Sequence, residues 1–232
     1  MKKIGLVGGT SWTSTIDYYR FFNEETNKIL GGLHFPECII YSVNFKLFSS
    51  YNAAYNWDAT FELLADAADK LKAAGADMIM LGANTAHIVA ERIADKIDLP
   101  LIDIREATAR AIQKKQLKKV GLLGTVYTME LDFYKQKLYQ KGLEVLIPQT
   151  KSEIDYIEET LVNELGKGII VPETKQAYLA IINKMIAEGA EGIILGCTEI
   201  PLLISQQDIA IPVFNTTQIH AQAAVEFALS SN

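Results

Sequence analysis

Two kinds of apolar run alternate along the whole of this chain. Short, continuous runs at residues 3–8, 37–45, 78–81 and 99–104 read as strands buried on both faces, the pattern of a parallel sheet. Between them, residues 16–30, 57–74, 84–96 and 105–115 carry apolar positions at helical spacing. In the 57–74 segment Leu63, Leu64, Ala67 and Leu71 form the stripe and Gly75 supplies the stop. Ser11, Thr13, Ser14 and Thr15 offer N-caps for the first helix. Strict alternation of strand and helix predicts an α/β protein with parallel sheets.

The pattern then restarts. Residues 119–124 (Lys-Val-Gly-Leu-Leu-Gly) repeat residues 3–8 (Lys-Ile-Gly-Leu-Val-Gly), the apolar run before Gly196 repeats the one before Gly82, and Ile211-Pro212-Val213 repeats Leu99-Pro100-Leu101. Three matches in the same order predict two pseudo-symmetric parallel-sheet α/β domains. The first covers residues 1–100, with a C-terminal helix at 218–232 packing back on it, and the second covers residues 101–217. Ligands of open α/β sheets bind beyond the carboxyl ends of the strands, so the active site is expected in the cleft between the two halves.

Composition narrows the partners. The 232 residues are 49% hydrophobic and 22% charged with a net charge of -6, which argues against nucleic acid or an anionic membrane surface. The lysines at 114–119 read as a solvated helix end. No apolar run approaches the roughly 18–20 residues that span a bilayer, and a strand pattern beginning at Lys3 leaves no room for a signal peptide. The two cysteines, Cys38 and Cys197, make neither a disulfide framework nor a zinc site. These features predict a cytoplasmic chain with reduced thiols and no metal. Cys38, mid-strand, reads as core.

The strand ends carry the candidate chemistry. Gly196-Cys197-Thr198-Glu199 and Gly82-Ala83-Asn84-Thr85 occupy matching places in the repeat, on the two walls of the expected cleft. A thiol on each wall would remove a proton from one face of a carbon acid and return it to the other; here one of the two positions is Ala83. Gly8, Gly9, Thr10 and Ser11 form a glycine-rich turn before a helix, read either as a carboxylate-binding turn or as a tight strand-to-helix connection. It lacks G-x-G-x-x-G and so is no dinucleotide fingerprint. Thr125, Tyr127 and Thr128 are its counterparts in the second half.

Gly-x-Asn-Thr-Ala-His at 82–87, Gly-Cys-Thr-Glu at 196–199 and the Gly8-Gly9 turn together resemble the aspartate/glutamate racemase superfamily over the full length of the chain. The resemblance implies a cofactor-independent amino-acid racemase acting on aspartate or glutamate through two bases. Cys197 matches the second base, and Ala83 stands at the position of the first. A thiol acting on an α-proton needs a lowered pKa and a stabilised enediolate, and a helix N-terminus after Cys197 would supply part of this. Asn84, Thr85 and Thr198 are the expected donors to the α-carboxylate. His87 matches the family's histidine, read as a proton relay or orienter, or as a helix histidine bonded to backbone. Glu199 would accept a proton or orient the cysteine. Lys167 matches a position that contacts the distal carboxylate, or is a solvated lysine beside a turn. The arginine commonly found after the second strand is replaced by Lys46. The resemblance further implies an amino dicarboxylic acid substrate and a homodimer. Alternatives are a single-cysteine decarboxylase or cis-trans isomerase of a small dicarboxylate, and a non-catalytic carboxylate binder.

Overall fold

The computed structural model describes residues 1–230. Among these residues eight strands fall into two four-stranded, wholly parallel sheets. In the first, β1 (Ile4–Gly8) lies between β2 (Cys38–Ser42) and β3 (Met78–Leu81), with β4 (Leu101–Ile102) outside β3. The second repeats that order, with β5 (Lys119–Gly124) between β6 (Glu144–Leu146) and β7 (Gly192–Gly196), and β8 (Val213–Asn215) outside β7. Register is equally alike: Val7 pairs with Leu81 in the first sheet, and Leu123 with Leu195 in the second.

The described residues divide into two compact units, residues 1–107 with the C-terminal segment from Thr217, and residues 108–216. In the first, alternate side chains of each strand supply two cores. Val7, Ile79 and Leu81 pack with Leu64, Ala68 and Leu71 of α3 (Trp57–Ala73), Phe48 of α2 (Phe45–Ala53) and Ile93 of α4 (Ala90–Lys96). On the other face Ile4, Leu6, Met78 and Met80 pack with Tyr18, Phe21 and Phe22 of α1 (Trp12–Leu30) and with Ala221, Ala224 and Val225 of α10 (Thr216–Leu229). Two small residues permit the approach at the strand: a Cβ on Gly5 would lie 2.8 Å from that of Ala76.

In the second unit Leu123, Ile193 and Leu195 pack with Ile154, Ile157 and Leu161 of α8 (Lys151–Asn163) and Tyr178, Ile182 and Met185 of α9 (Pro172–Ala187). The remaining helices are α5 (Ile104–Lys114), within which the chain passes between units, α6 (Val126–Glu130) and α7 (Asp132–Tyr139). No helix among the described residues is long and apolar enough to cross a membrane.

Some local boundaries differ from the sequence pattern. Strand β2 stops at Ser42 because Asn44 caps a new helix, its side chain accepting the Lys46 N–H at 2.9 Å, so Phe45 opens α2. The predicted 99–104 strand shrinks to the two residues of β4. The helix expected from Asn84 starts instead as a 3-10 turn, Thr85–Val89, before α4.

Candidate active site

In the second unit, β7 ends at Gly196 and delivers Cys197, Thr198 and Glu199 to the sheet's carboxyl edge, all three half-buried. Gly196 is required there, since a Cβ would lie 2.8 Å from the Leu123 carbonyl oxygen. One oxygen of Glu199, Oε2, receives both neighbours: the Cys197 S–H at 2.9 Å and the Thr198 O–H at 2.7 Å. The chain continues into the short 3-10 turn Ile200–Leu202, so Cys197 does not open an α-helix as the sequence pattern suggests. The expected lowering of the thiol pKa is therefore reversed. Burial first, and then the Glu199 carboxylate, push Cys197 well above its ordinary value, so that it rests as a thiol donating its S–H hydrogen bond to Glu199.

The counterpart of the glycine turn, after β5, is differently furnished. Thr125 caps α6, its Oγ1 accepting the Thr128 N–H at 3.4 Å and lying 3.1 Å from the Thr128 hydroxyl. The Val126 N–H donates to Glu158 Oε2 at 2.8 Å, a carboxylate that the sequence pattern does not single out. Tyr127 lies on α6, half-buried. Lys167 ends the 3-10 turn Leu165–Lys167 and is exposed, with Gly168 closing the turn at φ 74°.

In the first unit the ends of β1 and β3 lie side by side. The Gly82 N–H donates to the Val7 carbonyl at 2.9 Å, and a Cβ on Gly82 would sit 3.4 Å from Thr10 Oγ1. Gly9 has φ 76°, and a Cβ there would meet the Val43 carbonyl and, at 2.5 Å, Ser42 Oγ. The Gly9 N–H is already taken by Thr15 Oγ1 at 2.9 Å, and the Ser11 side chain bonds Thr13 rather than capping α1. Gly9 thus shapes the turn instead of offering its own N–H. Thr10 is different: only 5% exposed, its hydroxyl finds no hydrogen-bond partner among the described residues. An unmet buried hydroxyl is costly in a finished core and natural in a binding site. Asn84 and Thr85 are buried at the end of β3, and Ala83 is half-buried.

His87 is fully buried and both ring nitrogens are engaged by backbone. Nε2 accepts the Ile104 N–H at 3.2 Å, so Nδ1 carries the proton and donates to the Ala83 carbonyl at 2.9 Å. Burial lowers its pKa to about 4, outweighing the nearby Asp103 carboxylate. Of the roles the sequence allows, a proton relay does not suit this neutral, doubly bonded ring; it holds the Ala83 backbone in place.

Two features were not visible in the sequence. His220 of α10 packs edge-on against His87, with ring centroids 5.7 Å apart, accepts from the Tyr18 hydroxyl at 2.8 Å and donates through Nε2 to the Ile102 carbonyl at 2.6 Å. Beyond β4, Arg105 is 1% exposed and held by Asp103 at 2.6 Å and Glu91 at 2.8 Å. A histidine in an alanine-rich helix and an arginine opening another helix carry no sign of burial in the sequence.

Among the described residues no cluster of acidic, histidine and cysteine side chains is suited to hold a metal ion. The fold has clear relatives. A crystal structure of a candidate Asp/Glu racemase from Yersinia pestis superposes with a TM-score of 0.93 at 45% identity, covering 99% of this chain and 100% of that one. That of an aspartate racemase homologue from Pyrococcus horikoshii gives 0.87 at 38% identity, with 99% and 100% covered. The broad specificity amino-acid racemase RacX of Bacillus subtilis is 26% identical over 98% of both chains. The sequence profile of the Asp/Glu/hydantoin racemases matches residues 7–224, and to that family this chain belongs.

Proposed function

We propose that the protein is a cofactor-independent racemase or epimerase of an acidic amino acid, aspartate or glutamate, with Cys197 as its retained acid/base. The observation that carries this reading is the Cys197–Glu199 pair, a thiol donating at 2.9 Å to a carboxylate at the end of a buried strand. As substrate arrives, Glu199 keeps the thiol proton and the thiolate takes the α-proton. The Cα–H bond breaks, an S–H bond forms, and the electron pair moves into the α-carboxylate as an enediolate. Neutral donors suit that developing charge. In this reading they are Thr10, whose buried hydroxyl is unmet, with Asn84, Thr85 and Thr198, while Lys167 receives the distal carboxylate.

Ala83 has no proton to give, so return of a proton on its face goes through water or the Thr85 hydroxyl. Turnover is accordingly slow and biased toward one enantiomer. Ala83 also favours a second reading, a single-cysteine decarboxylase or cis-trans isomerase of a small dicarboxylate. Chiral chromatography of D- and L-aspartate and glutamate after incubation, run beside malonate-type compounds and maleate with Cys197→Ser as control, separates the two. Appearance of the opposite enantiomer, lost in Cys197→Ser, supports the racemase; turnover confined to the dicarboxylates overturns it.

A further inference from the structure

The two halves of the repeat differ in what occupies the turn after the first strand of each sheet. In the first unit the turn ends in the unmet Thr10 hydroxyl, a neutral donor. In the second unit the equivalent turn already holds an anion of the protein's own, because the Val126 N–H donates to Glu158 Oε2 at 2.8 Å. A substrate carboxylate placed there would face a carboxylate.

Glu158 projects from α8, which lies against α6, and is half-buried. The Val126 N–H is the hydrogen bond it receives, on Oε2, and Lys151 is the cation whose attraction it feels. The nearby Lys151 ammonium is held by Asp155 at 2.8 Å and Glu130 at 3.2 Å. Burial raises the Glu158 pKa, outweighing the Val126 N–H and the Lys151 ammonium, which act to lower it. Its charge adds, after burial and Glu199, a smaller opposition to formation of the Cys197 thiolate. Glu158 thus has one oxygen anchored on the backbone and a field that reaches the thiol. A primary ammonium fits such a group: it supplies a counter-charge closer than Lys151, which is paired elsewhere, up to three N–H donors, and relief of the negative potential at the sulfur.

We infer that Glu158 is a specificity-determining residue that binds the α-ammonium of the substrate, so that the site admits amino dicarboxylic acids in preference to dicarboxylic acids of the same length. This rests on the proposed acidic amino-acid substrate and adds the part of the site that reads its amino group. In consequence an amino acid lowers the barrier to its own deprotonation, because its ammonium neutralises one of the two carboxylates that, after burial, oppose the thiolate at Cys197, the lesser one beside Glu199.

The test compares aspartate with succinate, which has the same carboxylates and no ammonium, by calorimetric binding to the wild-type chain and to Glu158→Gln and Glu158→Asp. The carboxamide oxygen of Glu158→Gln can still accept the Val126 N–H, and a thermal melt confirms that fold is kept. The expected result is tighter binding of aspartate than succinate by the wild type, a loss of at least about tenfold for aspartate with succinate unchanged or tighter in Glu158→Gln, and partial recovery in Glu158→Asp. Equal weakening of both ligands, no loss for aspartate, or no preference in the wild type overturns the inference. Absence of racemisation with this binding pattern intact would sink the proposed activity while leaving the role of Glu158 standing.

Discussion

At the scale of single residues, the Cys197 thiol donates to the Glu199 carboxylate, and the pair makes an unusual prediction. Replacing Glu199 with Gln removes a negative charge that disfavours the thiolate, so the Cys197 pKa falls, read by ultraviolet titration of the thiolate. Turnover nevertheless drops, by about 10²–10⁴-fold, the usual worth of an acid/base partner. A residue that merely supported the fold would not move the two in opposite directions. The reverse experiment is on the other motif: Ala83→Cys supplies a second acid/base, and exchange of the slower enantiomer should rise toward that of the faster, followed by chiral chromatography. Cys197, Ala83 and Glu199 could be read from the sequence because a duplicated motif marks them. Glu158 could not. It sits among Glu153, Asp155 and Glu159 on a helix whose acidic residues look like an ordinary solvated face, and only folding brings it to the Val126 N–H.

At the scale of elements, the strand ends are built on glycines whose absent side chains make room for neighbouring backbone. A Cβ on Gly82 would lie 2.9 Å from the Val7 carbonyl oxygen, directly beside Thr10. Gly82→Ala should therefore push β3 from β1, at a cost of about 1–3 kcal/mol, and weaken substrate binding more than it weakens the fold. Urea denaturation beside calorimetric binding measures both. The strands themselves were legible, since a parallel strand covered on both faces has no alternation to confuse with a surface one, and β1 and β5 share nearly the same residues. The failures come where a single polar residue redirects the chain. Asn44 caps α2 in the midst of an apolar run, and the strand pattern around Leu101 gives way to the buried Asp103–Arg105 pair after only two residues. Such side-chain bonds leave no periodic trace.

At the scale of the whole molecule, the duplication has distributed unlike chemistry over like frames: a thiol and a carboxylate at a strand end of one unit, joined by a helix carboxylate, and neutral donors at the strand ends of the other. The first unit is also where acid should act. His87 and His220 are buried and neutral, with pKa values lowered to about 4 and about 3, chiefly by burial. A depressed folded pKa means that the unfolded chain takes up the proton first. Their stabilising contribution is complete above about pH 6.5 and is lost as pH falls toward 4 and 3, each histidine costing about 1.4 kcal/mol per pH unit in that window. Urea midpoints should hold steady above pH 7 and decline from about 6.5 to 4, and His220→Phe should remove about half of that slope. The racemase account itself stands most directly on proton exchange at the α-carbon. In heavy water, nuclear magnetic resonance of D- and L-aspartate and glutamate should show one enantiomer of one of them exchanging its α-proton faster than the other enantiomer is produced, with the exchange gone in Cys197→Ser. No exchange with any of the four would contradict it.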